Sequence, residues 1–144
     1  MTVSAQEALE EVLIGVLRNA SPLWGVRTYA ATIVGAKKTR PYVQFFPASD
    51  MRALGNPYHK KAELIYSIKG VSESNAGALA IREAITGLLD DSGSQDISPR
   101  LPYHAGWVIT NVTEDRAIWL EELSSADTFL YHAGHQYQIR MERR

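Results

Sequence analysis

Between positions 61 and 69 apolar and polar residues alternate almost one for one. Ala62, Leu64, Tyr66 and Ile68 fall on one side, and Lys61, Glu63, Ser67 and Lys69 on the other. Period two with one polar face predicts a strand covered on one side only. Gly70 ends the pattern, and Ser72, Glu73, Ser74 and Asn75 offer N-cap oxygens for a helix. Ala78, Ile81, Ile85, Leu88 and Leu89 then recur at helical spacing as one apolar stripe. Asp90-Asp91-Ser92-Gly93 closes that helix, and an acidic pair at a helix C-terminus opposes the macrodipole, so fraying into the next loop is expected. This strand and helix, residues 59–91, form the small core that the other segments are expected to join.

Ahead of it, Ser4-Ala5-Gln6-Glu7 matches a capping box. Ala5, Ala8, Leu9, Val12, Leu13, Val16 and Leu17 make the stripe of a first helix, which Pro22 stops. Residues 26–34, rich in β-branched side chains, read as a strand, and residues 35–41 as a basic loop. Pro41 and Pro47 bound a short strand, and Gly55, Asn56 and Pro57 mark a turn in the loop 47–58. Residues 92–103 lack periodicity and read as a long flexible segment. In 106–112, alternation places Trp107, Ile109 and Asn111 on one face and Val108, Thr110 and Val112 on the other. Turn character follows at residues 113–116, and residues 117–120 read as a hairpin partner, with helix as the rival. After a break at 124–127 come Phe129 to His132, a turn at Gly134, and a last alternating strand with Tyr137, Ile139 and Met141 inward. The sum is a single α+β domain spanning residues 1–144. It has an antiparallel or mixed sheet of about four to six strands with two helices packed on one face.

Composition narrows function by subtraction. At 144 residues and 45% hydrophobic the chain can bury a real core. A net charge of −1 argues against a dedicated nucleic-acid binder, which carries a basic excess. With no cysteine, disulfides, iron–sulfur clusters, thiolate zinc sites and thiol nucleophiles are out, and a reducing compartment fits. No run approaches the ~20 apolar residues of a membrane span, and the Met-Thr-Val-Ser start has no basic segment of a signal peptide. A soluble protein, cytoplasmic where it is made, is the expectation.

Candidate chemistry is sparse. His132-Ala133-Gly134-His135 has HxxH spacing, but in a strand–turn context the rings need not converge, and no carboxylate sits at a helpful spacing. The adjacent acids Asp90-Asp91, Glu114-Asp115 and Glu121-Glu122 read as solvated edges rather than acid–base pairs, which need convergence across a cleft. GxSxG, P-loop and GxGxxG motifs are absent. No catalytic residue, metal ligand or cofactor is therefore assigned. Two cationic clusters, Lys37-Lys38-Thr39-Arg40 and the terminal Arg140 to Arg144, suit a solvated loop and tail, an acidic protein partner, or a phosphate. Among three tryptophans, seven tyrosines and three phenylalanines, Tyr58 and Tyr103 lie in loops where an interface would use them.

The order of features carries more than the motifs. An amphipathic first helix precedes the strand Arg40-Pro41-Tyr42-Val43-Gln44-Phe45. The alternating strand from Lys61 to Ser67, the small-residue helix from Ala76 to Ile85 and a closing strand from Tyr131 to Arg140 follow. This order resembles the tail terminator (tail completion) proteins of long-tailed bacteriophages and related particles. The resemblance implies a structural, non-enzymatic protein of the virion, an α+β subunit in a homo-oligomeric ring, a hexamer. Such a ring sits on the head-proximal end of the tail tube, stops its polymerisation and docks to the head connector, while DNA passes through without specific binding. A ring needs heterologous contacts that close. The interface residues expected are Lys37, Lys38 and Arg40 in the first loop, Arg52 and Tyr58 in the second, Tyr103 in the third, and Arg140 in the last strand. Another neck or head–tail joining protein is the nearest rival. A small ligand-binding domain or an enzyme using His104, His132 or His135 are rivals of other classes.

Overall fold

The computed structural model describes residues 4–19, 27–30, 41–48, 52–53, 61–89, 106–123 and 129–143. Ser4 begins the first helix, Ala5–Asn19 (α1), by accepting the Glu7 amide on its hydroxyl at 3.2 Å and the Ala8 amide on its carbonyl at 3.0 Å. Ser74 does the same for the second helix, Asn75–Leu89 (α2), accepting the Gly77 amide at 3.0 Å. The expected stripes are the buried faces: Ala8, Leu9, Val12, Leu13 and Leu17 on α1, and Ala78, Ile81, Ile85 and Leu89 on α2. The acidic pair after Leu89 and the proline after α1 lie outside the described residues.

Six strands form one sheet: Arg27–Ala30 (β1), Tyr42–Pro47 (β2), Arg52–Ala53 (β3), Lys61–Ser72 (β4), Trp107–Leu123 (β5) and Phe129–Arg143 (β6). Their order is β1-β2-β4-β6-β5. β1 runs parallel to β2, and every other pairing is antiparallel. β2 and β3 follow the same edge of β4, so Arg52 stands in a strand opposite Glu63 rather than in a loop. The α+β architecture with two helices and a sheet within the expected strand number is therefore present.

Both helices cover the same face. Val43 and Phe45 of β2, Ala62, Leu64, Tyr66 and Ile68 of β4, and Tyr137, Ile139 and Met141 of β6 share one buried cluster with α1 and α2. Burial pushes the Tyr66 phenol well above its ordinary value, and the Glu10 carboxylate adds to this. Glu10 is itself raised, first by burial and then by Glu11 and Glu7. On the other face coverage is uneven. Ser67 and Val71 are buried, with Val71 in a second small cluster with Tyr42 and Leu130, although period two alone pointed to one covered face.

Three readings of local punctuation are corrected. Gly70 does not end β4, which runs on to Ser72. Gly70 lies under α2, where a Cβ would sit 2.3 Å from the Ile81 side chain. Gly134 is no turn either: it lies inside β6, paired with Lys69 on one side and Ile118 on the other. The segment 113–116 is not a turn but the middle of β5, which runs unbroken from Trp107, just after Gly106 at φ 84°, to Leu123. β5 pairs with β6 through two irregularities, between Ile109 and Asn111 and between Glu114 and Ala117. The first one resets the alternation, so Val112 joins Trp107 and Ile109 in the core while Asn111 is exposed.

Candidate docking surface

β5 and β6 are the longest-paired strands, and their hairpin runs two rows past the end of β4. Row by row, Ala117 faces His135, Trp119 faces Ala133, Glu121 faces Tyr131 and Leu123 faces Phe129, while β4 stops at Ser72 opposite Tyr131. From Asp115 to Leu123 every residue except the half-buried Ile118 is exposed, on both faces of the strand. This segment is an arm. Four large apolar side chains lie bare on it: Trp119 at 44% exposure, Leu120 at 47%, Leu123 at 61% and Phe129 at 50%.

Pairing sets which of them meet. Trp119, Leu123, Phe129 and Tyr131 share the helix-side face, and the Trp119 and Tyr131 rings stand 6.1 Å apart at 36°. Leu120 points to the other face, beside the pair His132–Glu122. An exposed aromatic and aliphatic group of this kind, on the outermost strand of a sheet, is where another molecule binds or where chains aggregate.

Two histidine–carboxylate contacts join the arm to β6, one on each face. His132 Nε2 lies 3.0 Å from Glu122 Oε1, and His135 Nε2 lies 2.8 Å from Glu114 Oε1. The imidazole of His132 is buried and that of His135 nearly so, while both carboxylates keep a solvent-facing side. Because His132 and His135 are an odd number of strand positions apart, the rings project to opposite faces and do not converge on a common ligand. Among the described residues no group of three histidines and acids is placed to hold a metal ion. No helix of the described residues is long and apolar enough to cross a membrane.

No protein-family model and no curated protein matches this chain.

Of the residues expected at an interface, Arg140 is the one whose side chain the structure describes. It lies at the far end of the sheet from the arm, on the face away from the helices, with its Nε 3.6 Å from Glu63 Oε2. Glu63 also accepts a hydrogen bond from the Gln138 amide, and Lys61 stands 3.7 Å from Glu142. Lys61, Thr110, Asn111, Arg140 and Glu142 border a shallow groove of about 300 Å³ there. Charges in it are matched, so Arg140 belongs to a mixed lattice rather than to a cationic site, and exposed pairs of this kind contribute little stability. Arg52 is placed by its backbone in β3, and Lys37, Lys38, Arg40, Tyr58, Tyr103 and His104 lie outside the described residues.

The arm residues Trp119, Leu120, Leu123 and Phe129 were not singled out by sequence reasoning, nor were the carboxylate partners of the histidines. One signal was present. Trp119-Leu120-Glu121-Glu122-Leu123 puts apolar side chains on both faces of any strand and an acid beside each of them, a pattern that suits neither a covered nor a fully solvated face. The histidine pairs left no local mark, because Glu114 and Glu122 come from the other strand of the hairpin.

Proposed function

We propose that this chain is a structural virion subunit that forms a ring with copies of itself on the head-proximal end of a phage tail tube. There it stops tube polymerisation and offers the surface to which the head connector docks. The observation that carries the reading is the arm: the end of an edge strand and its hairpin partner, with tryptophan, leucine and phenylalanine side chains that the described residues leave about half exposed. Burying such side chains contributes about 1.5–3 kcal/mol each when a partner covers them fully, enough for a few of them to hold an assembly contact. The element order, with its amphipathic first helix, proline-bounded strand, alternating central strand, small-residue helix and closing strand, resembles that of tail terminator proteins. A net charge of −1 suits a channel that passes DNA without holding it. Assembly takes place in the host cytoplasm, and the finished location is the virion.

Solution mass by light scattering on a sizing column, with negative-stain images of the same peak, tests the ring. Mixing the protein with purified tail tubes tests the cap. Six-fold rings, or capped tube ends that stop elongating, are the expected results. Tubes that grow unchanged in the presence of excess protein overturn the terminator role, and binding to isolated connectors alone assigns the chain to a neighbouring neck position.

A further inference from the structure

The outer edge of β5 is the one long sheet edge whose side chains are described, and its sequence is complementary to itself. The stretch reads Asp115-Arg116-Ala117-Ile118-Trp119-Leu120-Glu121-Glu122-Leu123. Set antiparallel against a second copy with Trp119 opposite Trp119, it places Arg116 against Glu122, Ile118 against Leu120 and Ala117 against Glu121, each twice by symmetry. Residues directly opposite in an antiparallel pair project to the same face. The ion pairs and the Ile118–Leu120 contacts therefore lie together on the face away from the helices, and the two tryptophans meet on the other. Glu122 uses one carboxylate oxygen for His132 and is 49% exposed, which leaves its second oxygen for an arginine from outside.

Neighbouring registers lack this match. One step toward the N-terminus sets Asp115 against Glu121 and Glu114 against Glu122, two like-charge oppositions that are each made twice. One step the other way sets both Trp119 and Ile118 against glutamates and takes Arg116 past Leu123. The Trp119-centred register sets Asp115 against Leu123, but it alone of the three combines opposite-charge pairs with an apolar centre.

We infer that β5 pairs edge to edge with β5 of a second copy of this chain, in a twofold contact centred on Trp119. The contact satisfies the outward backbone groups of an edge that no described strand covers. It also joins the two Trp119–Tyr131 stacks into one apolar strip. The pairing is isologous and so cannot by itself generate a ring, which closes through heterologous contacts. It stands whether or not the chain caps tubes.

The absence of cysteine makes the test direct. Directly opposed residues across antiparallel strands have Cα atoms about 4.5–5.5 Å apart, inside the range a disulfide spans. Trp119→Cys should therefore form a covalent dimer under mild oxidation, whereas Thr113→Cys, exposed on the same strand but without a counterpart in this register, should not. Without oxidant, light scattering across a concentration series should show a dimer. Arg116→Glu should weaken it about tenfold or more, since two attractive pairs become repulsive. Adding Glu122→Arg to that variant should restore it, with circular dichroism confirming the fold of each. Three outcomes overturn the contact: a monomer at all concentrations, an oligomer indifferent to Arg116→Glu, or equal cross-linking of the two cysteine variants. Tube capping is read in a separate assay, so either idea can fail alone.

Discussion

Gly134 shows how much one residue can depend on its surroundings. In sequence it looks like a turn, yet it sits mid-strand because a Cβ there would come within 2.2 Å of the Ile68 carbonyl oxygen and 2.5 Å of the Lys69 Cα. Backbone atoms of a central strand cannot give way as a flexible side chain can. Gly134→Ala is expected to cost about 2–3 kcal/mol, read as a lower urea midpoint at unchanged slope. Glu10 makes a prediction of the opposite sign. Its folded pKa is raised above the ordinary 4.5 by burial and by Glu11 and Glu7. Ionisation therefore costs folding stability, and the loss sets in as pH rises through the unfolded value and is complete above the folded one. Glu10→Gln should be more stable than wild type at neutral pH, and the two stability curves should merge below the unfolded value. Curves that stay parallel across the titration would show that ionisation of Glu10 does not matter.

At the scale of elements, the helices and β4 are locally consistent: caps, stripes and alternation agree with their final positions. β5 is different. Its two irregularities switch the buried set from odd to even positions at Val112 and then carry the strand past the core, so one element is half core and half arm. That division should be visible in motion. In dilute protein, amides from Asp115 to Leu123 on the outer edge should exchange with solvent faster than those of β4 from Tyr66 to Ile68, which have strands on both sides. Equal protection in the two segments would mean that the arm is covered in the free chain. The contacts from His135 to Glu114 and from His132 to Glu122 hold the arm to β6 near its two ends, one on each face, and leave its outer edge to the partner.

For the whole molecule, α1, α2 and the central strands share one buried cluster, in which Leu64 is 1% exposed. Leu64→Ala, in the strand both helices press on, should therefore cost about 2–5 kcal/mol. Near- and far-ultraviolet circular dichroism should lose signal in the same transition, because no element keeps a core of its own. Two separate transitions would mean that the helices and the sheet are independent units. The arm lies outside this cooperative core, so Trp119→Ala should leave the unfolding midpoint almost unchanged while changing assembly.

What the sequence by itself determined are the features decided within a few residues. Ser4 and Ser74 cap the helices they precede, the stripes of α1 and α2 face inward, and Ala62, Leu64, Tyr66 and Ile68 of β4 form the buried row. Each depends on backbone periodicity and on groups three or four positions away, so it can be read from a window of the chain. Only the tertiary structure decided the rest. The irregularities in β5, the burial of Val71 and Ser67, the close approach at Gly134, the carboxylate partners of the histidines and the exposure of Trp119, Leu123 and Phe129 all turn on which residue lies opposite which. Strand register is set by contacts between segments far apart in the chain, and a shift of one position exchanges the two faces. A local pattern cannot encode that choice, so the arm became visible only once β5 was placed at the edge of the sheet.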